Sequence, residues 1–518
     1  MDRRTFITGG AVAATAVLAG ACDSGGSGTA HAGPHATPAS RAPSRPRATA
    51  SPDWPALARG LDGSLVRPGD ADWQAARQLY NTRFDGLKPA AVAYVAHPDD
   101  IRTTLAYART HGLRVSLRNG GHSYAGWSSG DGRLVVDVSR LSRIRVSGGE
   151  AVVGAGARLI DVYRALAAKG VTIPAGSCPT VGVSGLALGG GHGVTSRAYG
   201  LTCDNLTRVT LVAADGAQLG ADARENKDLF WALRGAGNGT FGVVTELHFR
   251  THPAPQGVTA YLAWPWPTAA AVVRAWQEWG PDRPDEIWSS LHLDSAAGAT
   301  PTVSVSAFSL GTYGELQNAV DRLADRIGAP ASSVSLRRRS YEESMELYAG
   351  CSSFAPDADC HLPGDTPGRS PRGALARETY AARSDFYDRS LSAEGVGALL
   401  SGIRSVRGGT GGFSLTALGG AVNRVAPADT AFVHRRSRML AQYIAAWRPG
   451  TSGRTAQAWL AEAHHAMRPY ASGAAYQNYT DPTLPDWRTA YYGDAAPRLT
   501  RLKRRYDPTG FFTRPQTP

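Results

Sequence analysis

Arg118-Asn119-Gly120-Gly121-His122-Ser123-Tyr124 closes a strand-like run, Val115-Ser116-Leu117-Arg118, with two glycines and a histidine. Paired glycines after a strand let backbone amides approach a phosphate closely, because no Cβ intervenes and φ is free to turn positive. A histidine directly behind such a loop lies beside whatever carries the phosphates. Alone, the pattern is that of an ordinary turn. A second stretch gives it meaning: Pro174-Ala175-Gly176-Ser177-Cys178-Pro179-Thr180-Val181-Gly182, continuing through Ser184-Gly185 to Gly189-Gly190-Gly191-His192-Gly193. So dense a run of glycines implies backbone packed directly against a ligand or another strand. Cys178 stands in the loop ahead of them. A lone cysteine is ordinarily buried and inert; one in a glycine-rich ligand loop is a candidate for chemistry.

Around these loops strand and helix signals alternate. Residues 91–95 and 134–138 read as strands, and Asp99 or Asp100 as the cap of a helix running to about residue 110. Residues 151–153 continue the strands and 159–169 a helix. Residues 209–213 followed by Asp215-Gly216 read as a hairpin. Residues 228–233 are helical and 241–249 form the last strand of this half. Beyond His252-Pro253-Ala254-Pro255, strands at 257–264 and 302–308 alternate with helices at 269–279 and 313–327. The pattern is α+β, and no internal repeat is visible.

The chain has 518 residues, enough for two domains, with 60 Gly and 32 Pro pointing to many turns. The net charge of +12 comes from scattered residues, without the basic and aromatic clustering or zinc-finger spacing of a nucleic-acid binder. No cluster has metal-ligand spacing; His464-His465 is a lone pair on a helix. Asp2-Arg3-Arg4-Thr5-Phe6-Ile7 is a twin-arginine pattern, and the small apolar run after it is short for a membrane span. Residues 1–22 are therefore expected to be an export signal of a route taken by proteins that fold, often around a cofactor, before crossing. Cys22 follows Leu18-Ala19-Gly20-Ala21, so the signal ends either in a lipid-anchored cysteine or in simple cleavage. Residues 23–53 lack large apolar side chains and read as a flexible tether. Cys351 and Cys360 share one loop, where an oxidising exterior permits a disulfide; Cys203 reads as a small buried residue.

From about Phe84 to Gln516 the chain resembles the berberine bridge enzyme-like family of FAD-linked oxidoreductases, within the vanillyl-alcohol oxidase and PCMH-type superfamily. The resemblance rests on the two loops above and on Tyr199-Gly200-Leu201-Thr202-Cys203-Asp204-Asn205. It continues in Asp228-Leu229-Phe230-Trp231-Ala232-Leu233-Arg234-Gly235, Phe241-Gly242-Val243-Val244-Thr245-Glu246, Tyr476-Gln477-Asn478-Tyr479-Thr480-Asp481 and Tyr506-Asp507-Pro508, all in order. It implies a two-subdomain PCMH-type FAD-binding domain at 54–255 and an α/β substrate domain at 256–471, whose antiparallel sheet covers the flavin. Residues 472–518 return to the FAD domain. FAD would be bicovalent, His122 bonding the flavin 8α-methyl and Cys178 its C6 position; both are nucleophiles. Arg118, Asn119, Gly120, Gly121, Ser123, Tyr124, Val181, Gly182, Ser184, Gly185, Gly190, Gly242 and Val244 would line the cofactor.

The same resemblance makes Tyr479 the base, with Tyr476, Asn478 and His192 shaping the site. A free phenol ionises only near pH 10, so the pocket of such a base must favour phenolate. Val181, small and three residues after Cys178, matches the oxidase pattern. Three departures stand out: Thr416 where relatives often carry a polar or acidic residue, a shifted Asn238, and Arg383 in place of lysine. The expectation is an exported oxidase that takes hydride from an alcohol or hemiacetal hydroxyl, at C1 of a sugar or in a secondary metabolite. O2 is the acceptor and the small-molecule substrate the partner, with no nucleic acid and no membrane contact beyond Cys22. The alternatives are a dehydrogenase using another acceptor and a surface binding protein that has lost catalysis.

Overall fold

The computed structural model describes residues 52–518. The twin-arginine pattern, Cys22 and all but the last two residues of the tether lie outside the described residues. Asp53, at the end of that tether, accepts from Ala56 N and caps the helix Trp54–Arg59.

The strands Ser64–Val66, Ala91–Tyr94, Leu134–Asp137 and Val115–Arg118 form one sheet in that spatial order. The last three run parallel, and Ala91–Tyr94 and Leu134–Asp137 are buried along their whole length, which is why they read as continuous apolar runs. The crossover helix is Pro98–Thr110. Its cap position is His97, with Pro98 in the first turn, so the expectation of a cap at Asp99 or Asp100 is corrected. Asp100 instead faces backward, accepting from the backbone N–H groups of Asp62, Gly63 and Ala96. A proline at the first helical position leaves no N–H unsatisfied, and that preference sets the boundary.

A second, antiparallel sheet runs Ile144–Ser147, Glu150–Gly154, Val243–Arg250, Leu206–Val212, Gln218–Asp222, and contains the expected hairpin around Asp215-Gly216. The largest sheet is antiparallel with seven strands, in the order Ser333–Arg339, Gly257–Trp264, Thr302–Ser309, Ile287–Ala296, Thr410–Ala417, Met439–Ala446, Tyr380–Tyr387. Side chains alternate across it with period two. Leu291, Leu293, Phe413, Leu415, Ala441 and Tyr443 pack with the helices Ala269–Trp279, Tyr313–Ile327, Ala393–Arg404 and Arg454–Met467. The intervening Ser290, His292, Asp294, Ser414, Thr416 and Gln442 point to the other face. There Trp288, Phe308, Phe386 and Leu440 join the core built by the first two sheets. Ala475, Tyr476, Tyr491, Tyr492, Leu499 and Phe512 belong to that same core, so the chain's last segment packs back on its first half.

Cys351 and Cys360 form a disulfide, Cα atoms 5.8 Å apart, packed against Ile160. Cys203 is fully buried. His464 lies in the helix Arg454–Met467, 3.2 Å from the buried carboxylate of Asp385.

Candidate active site

The loop that follows Val115–Arg118 is held from beneath. Arg118 is buried against Asp137, a charge pair that removes the cost of an isolated guanidinium. Asn119 donates to the carbonyl of Ala155 and, at 3.1 Å, to Ser184 Oγ, while its Oδ1 accepts from Arg158. Arg158 is buried and makes no ion pair among the described residues; its other bonds go to Gly156 O and Ser139 Oγ. Gly121 has φ +70°, which a side chain would strain, and its carbonyl accepts from Tyr80 N. Ser123 turns its hydroxyl inward to Trp127 N.

Gly120 lies so close to Gly182 N and Thr180 O that a Cβ on it would overlap both. A Cβ on Gly182 would likewise overlap the Asn119 side chain. The His122 loop and the Cys178 loop are thus interlocked backbone against backbone. His122 Nε2 is 2.8 Å from Thr180 Oγ1, and its ring stacks on Tyr80. Burial, aided by the nearby Arg158, pushes its pKa down to about 3, so the imidazole is neutral. Cys178 is exposed and outside the disulfide. Leu159 N and Ile160 N, opening the helix Leu159–Ala167, hold the loop through the carbonyls of Val181 and Pro179. Gly185 is exposed on the short helix Val183–Leu188, which begins at Gly182.

The third element comes from the far end of the chain. Tyr479 OH is 2.8 Å from His192 Nε2, its ring stacked on Tyr124 at 5.2 Å. Tyr124 OH accepts from Gln442 Nε2 at 2.7 Å, tying the ring to the seven-stranded sheet. Tyr476 OH accepts from Gly191 N and Asn478 Nδ2; burial raises its pKa, so it is a neutral brace. Asn478 also receives Asn238 Nδ2, which gives the shifted asparagine a place in the site. Gly190, at φ +127°, sits against Phe432 and Tyr476. Burial lowers the His192 pKa to about 4, and its Nδ1 is buried with no partner among the described residues. Gly242 and Val244 stand further off, at the head of Val243–Arg250; their link to the His122 loop runs through Thr245 O, Ala155 and Asn119.

Residues 89–221 match the family described as FAD binding domain, and 475–517 the one described as berberine and berberine like. A carbohydrate oxidase of Microdochium nivale is 30% identical over 481 residues, covering 87% of this chain and 91% of its own. The chain belongs to the berberine bridge enzyme-like FAD-linked oxidoreductases. Chitooligosaccharide oxidase of Gibberella zeae is 29% identical over 473 residues, covering 87% of this chain and 91% of its own. The solved structure of a berberine bridge enzyme-like protein of Physcomitrella patens superposes with a TM-score of 0.79 at 31% identity, covering 90% of this chain and 98% of its own.

The residues of this berberine bridge enzyme-like chain fit FAD. A glycine loop closes a parallel strand beside a buried guanidinium without a carboxylate, which suits a pyrophosphate. An exposed thiol and a neutral imidazole stand on two interlocked loops. The buried Nδ1 of His192 lacks a partner among the described residues. Sequence reasoning missed Thr180, Tyr80, Arg158 and Gln442. Thr180 lay within a quoted motif; the others touch the site only through long-range packing.

Proposed function

We propose that the chain is an exported oxidase in which His122 and Cys178 each bond FAD and Tyr479 deprotonates a substrate hydroxyl. The observation that carries this reading is the Tyr479 OH–His192 Nε2 contact of 2.8 Å, with the Tyr479 ring stacked on Tyr124, two residues after His122. Bound FAD would supply a two-electron acceptor for hydride. The chain's own part is to orient and to move the proton. Stacking on Tyr124 fixes the Tyr479 ring, and Gln442 fixes Tyr124. Asn119, Gly120 and Gly121 would hold the pyrophosphate with Arg158 behind them.

His192 stabilises the phenolate by donating from Nε2. In that tautomer its unpartnered Nδ1 is a bare acceptor, the cheaper kind of buried orphan. The partner found at Tyr479 OH is a neutral histidine. On the sheet above, Ser290, His292, Ser306, Ser414 and Thr416 share the face that carries Gln442. This row of four small hydroxyls and one imidazole supports a polyhydroxyl substrate, the C1 hydroxyl of a sugar or oligosaccharide, over a secondary-metabolite alcohol. Val181 supports O2 as acceptor, with hydrogen peroxide as product. The twin-arginine pattern supports export, with Cys22 as the lipid anchor, and the Cys351–Cys360 bridge fits an oxidising exterior.

The test is the visible spectrum of the purified protein before and after acid denaturation and desalting, followed by a peroxide assay on mono- and oligosaccharides. Flavin that stays with the denatured chain and peroxide released with a sugar are the expected results. Flavin lost on denaturation refutes the covalent reading, and a flavin that no sugar or alcohol reduces refutes the catalytic one.

A further inference from the structure

The imidazole of His122 has two nitrogens, and they meet different surroundings. Nε2 lies 2.8 Å from Thr180 Oγ1. Thr180 is 3% exposed, and its carbonyl is wedged against Gly120, so the hydroxyl has a fixed position. The other face of the imidazole is pressed on Tyr80, ring centroids 4.0 Å apart and planes 19° from parallel. The hydrogen bond stops the ring from flipping and the stack stops it from tilting. Nδ1 has no hydrogen-bond partner among the described residues, yet it is not among the fully buried unpartnered polar atoms, so it keeps some access to solvent.

We propose that Thr180 is a positioning residue for cofactor attachment: by accepting Nε2–H it holds His122 in the tautomer whose Nδ1 lone pair is free to bond the flavin methyl carbon. The inference rests on the reading that His122 carries FAD. The partner of one ring nitrogen decides the state of the other, as it does where histidine binds a metal. With a pKa of about 3 the ring is neutral at every physiological pH, so tautomer and not protonation is what the fold must choose.

The step balances. The bond formed joins Nδ1 to the methyl carbon, one C–H bond of that methyl breaks, and two electrons pass into the isoalloxazine ring. Two protons accompany them: one from the broken C–H bond, and one that Nε2 releases through the Thr180 hydroxyl once the imidazole has been alkylated. O2 then removes both electrons and protons as hydrogen peroxide. A side chain without a hydroxyl at residue 180 can neither choose the tautomer nor carry the second proton.

The experiment compares holoprotein of Thr180→Val, Thr180→Ala and Thr180→Ser with the unaltered chain. Each is digested, and the fractions of His122 peptide and of Cys178 peptide that carry flavin are read by mass after equal times of exposure to FAD and O2. In Thr180→Val and Thr180→Ala the His122 linkage should form about five- to tenfold more slowly, the loss of one hydrogen bond. The Cys178 linkage should be unchanged, and Thr180→Ser should restore the first. A residue that merely props the loop would depress both linkages together, and serine would not rescue one alone. Full-speed attachment at His122 in both hydroxyl-free variants overturns the proposal while leaving bicovalent FAD intact. An unaltered chain with no flavin on His122 refutes the underlying reading, and the proposal with it.

Discussion

Replacing His192 by alanine isolates the contact on which the proposed chemistry rests. The residue is uncharged across the working range, since burial holds its pKa at about 4, so the substitution removes a hydrogen bond and not a charge. The bond is 2.8 Å long and ends on Tyr479 OH, which in the proposed reaction must be phenolate to take the substrate proton and becomes neutral phenol as it does. A hydrogen bond to a charged group contributes about 1.5–3 kcal/mol, which at about 1.4 kcal/mol per decade is about 10- to 150-fold in rate. Anaerobic stopped-flow reduction of the bound flavin by the fastest sugar substrate reads that step directly. His192→Ala should slow reduction by this factor at neutral pH, with flavin content unchanged. Its rate should climb as pH rises, because hydroxide in solution increasingly does what the histidine did. His192→Gln, which keeps a donor, should recover part of the loss. Reduction of His192→Ala within about twofold of the unaltered chain throughout would refute the reasoning.

Gly120→Ala forces a Cβ into Gly182 N and Thr180 O; overpacking of that kind costs about 1–3 kcal/mol, and thermal melts should fall together with FAD retention. Removing the bridge with Cys351→Ser and Cys360→Ser frees a loop closed across nine residues of separation, worth about 2.5–3 kcal/mol, to be read by denaturant unfolding. Burial pushes the Asp294 carboxyl from 3.8 up to about 7. A folded pKa raised above the unfolded value means that its contribution to stability is fully present below about pH 4 and is lost as pH rises through about 7. Asp294→Asn should therefore melt higher than the unaltered chain at pH 8, and the advantage should vanish at pH 4.

Where periodicity and breakers agree, the sequence predicts elements to the residue: the helices Ala269–Trp279 and Tyr313–Ile327 and the strand Gly257–Trp264 have the expected bounds. It misplaces the cap at His97 because Asp99 and Asp100 are favourable both as caps and in a first turn, and Pro98 decides between them. His122, Cys178, His192 and the segment from Tyr476 to Tyr479 are legible because each stands in a motif dense with glycine or aromatic residues. Gln442 is not, because its role comes from strand register, which sets it opposite Ser414 and under Tyr124. Tyr80 is missed for a similar reason: its stacking on His122 depends on a backbone turn at Gly121 that no local pattern announces.

The division of the site along the chain has a consequence for how the molecule comes into being. His122 and Cys178 belong to strands and loops that close on one another within the first half, whereas Tyr479 and Tyr476 arrive some three hundred residues later. During synthesis the parts that meet the cofactor leave the ribosome well before the parts that act on a substrate. On the proposed reading, a chain still being made carries both attachment nucleophiles and lacks its base, and the hydride chemistry waits for the final segment to dock.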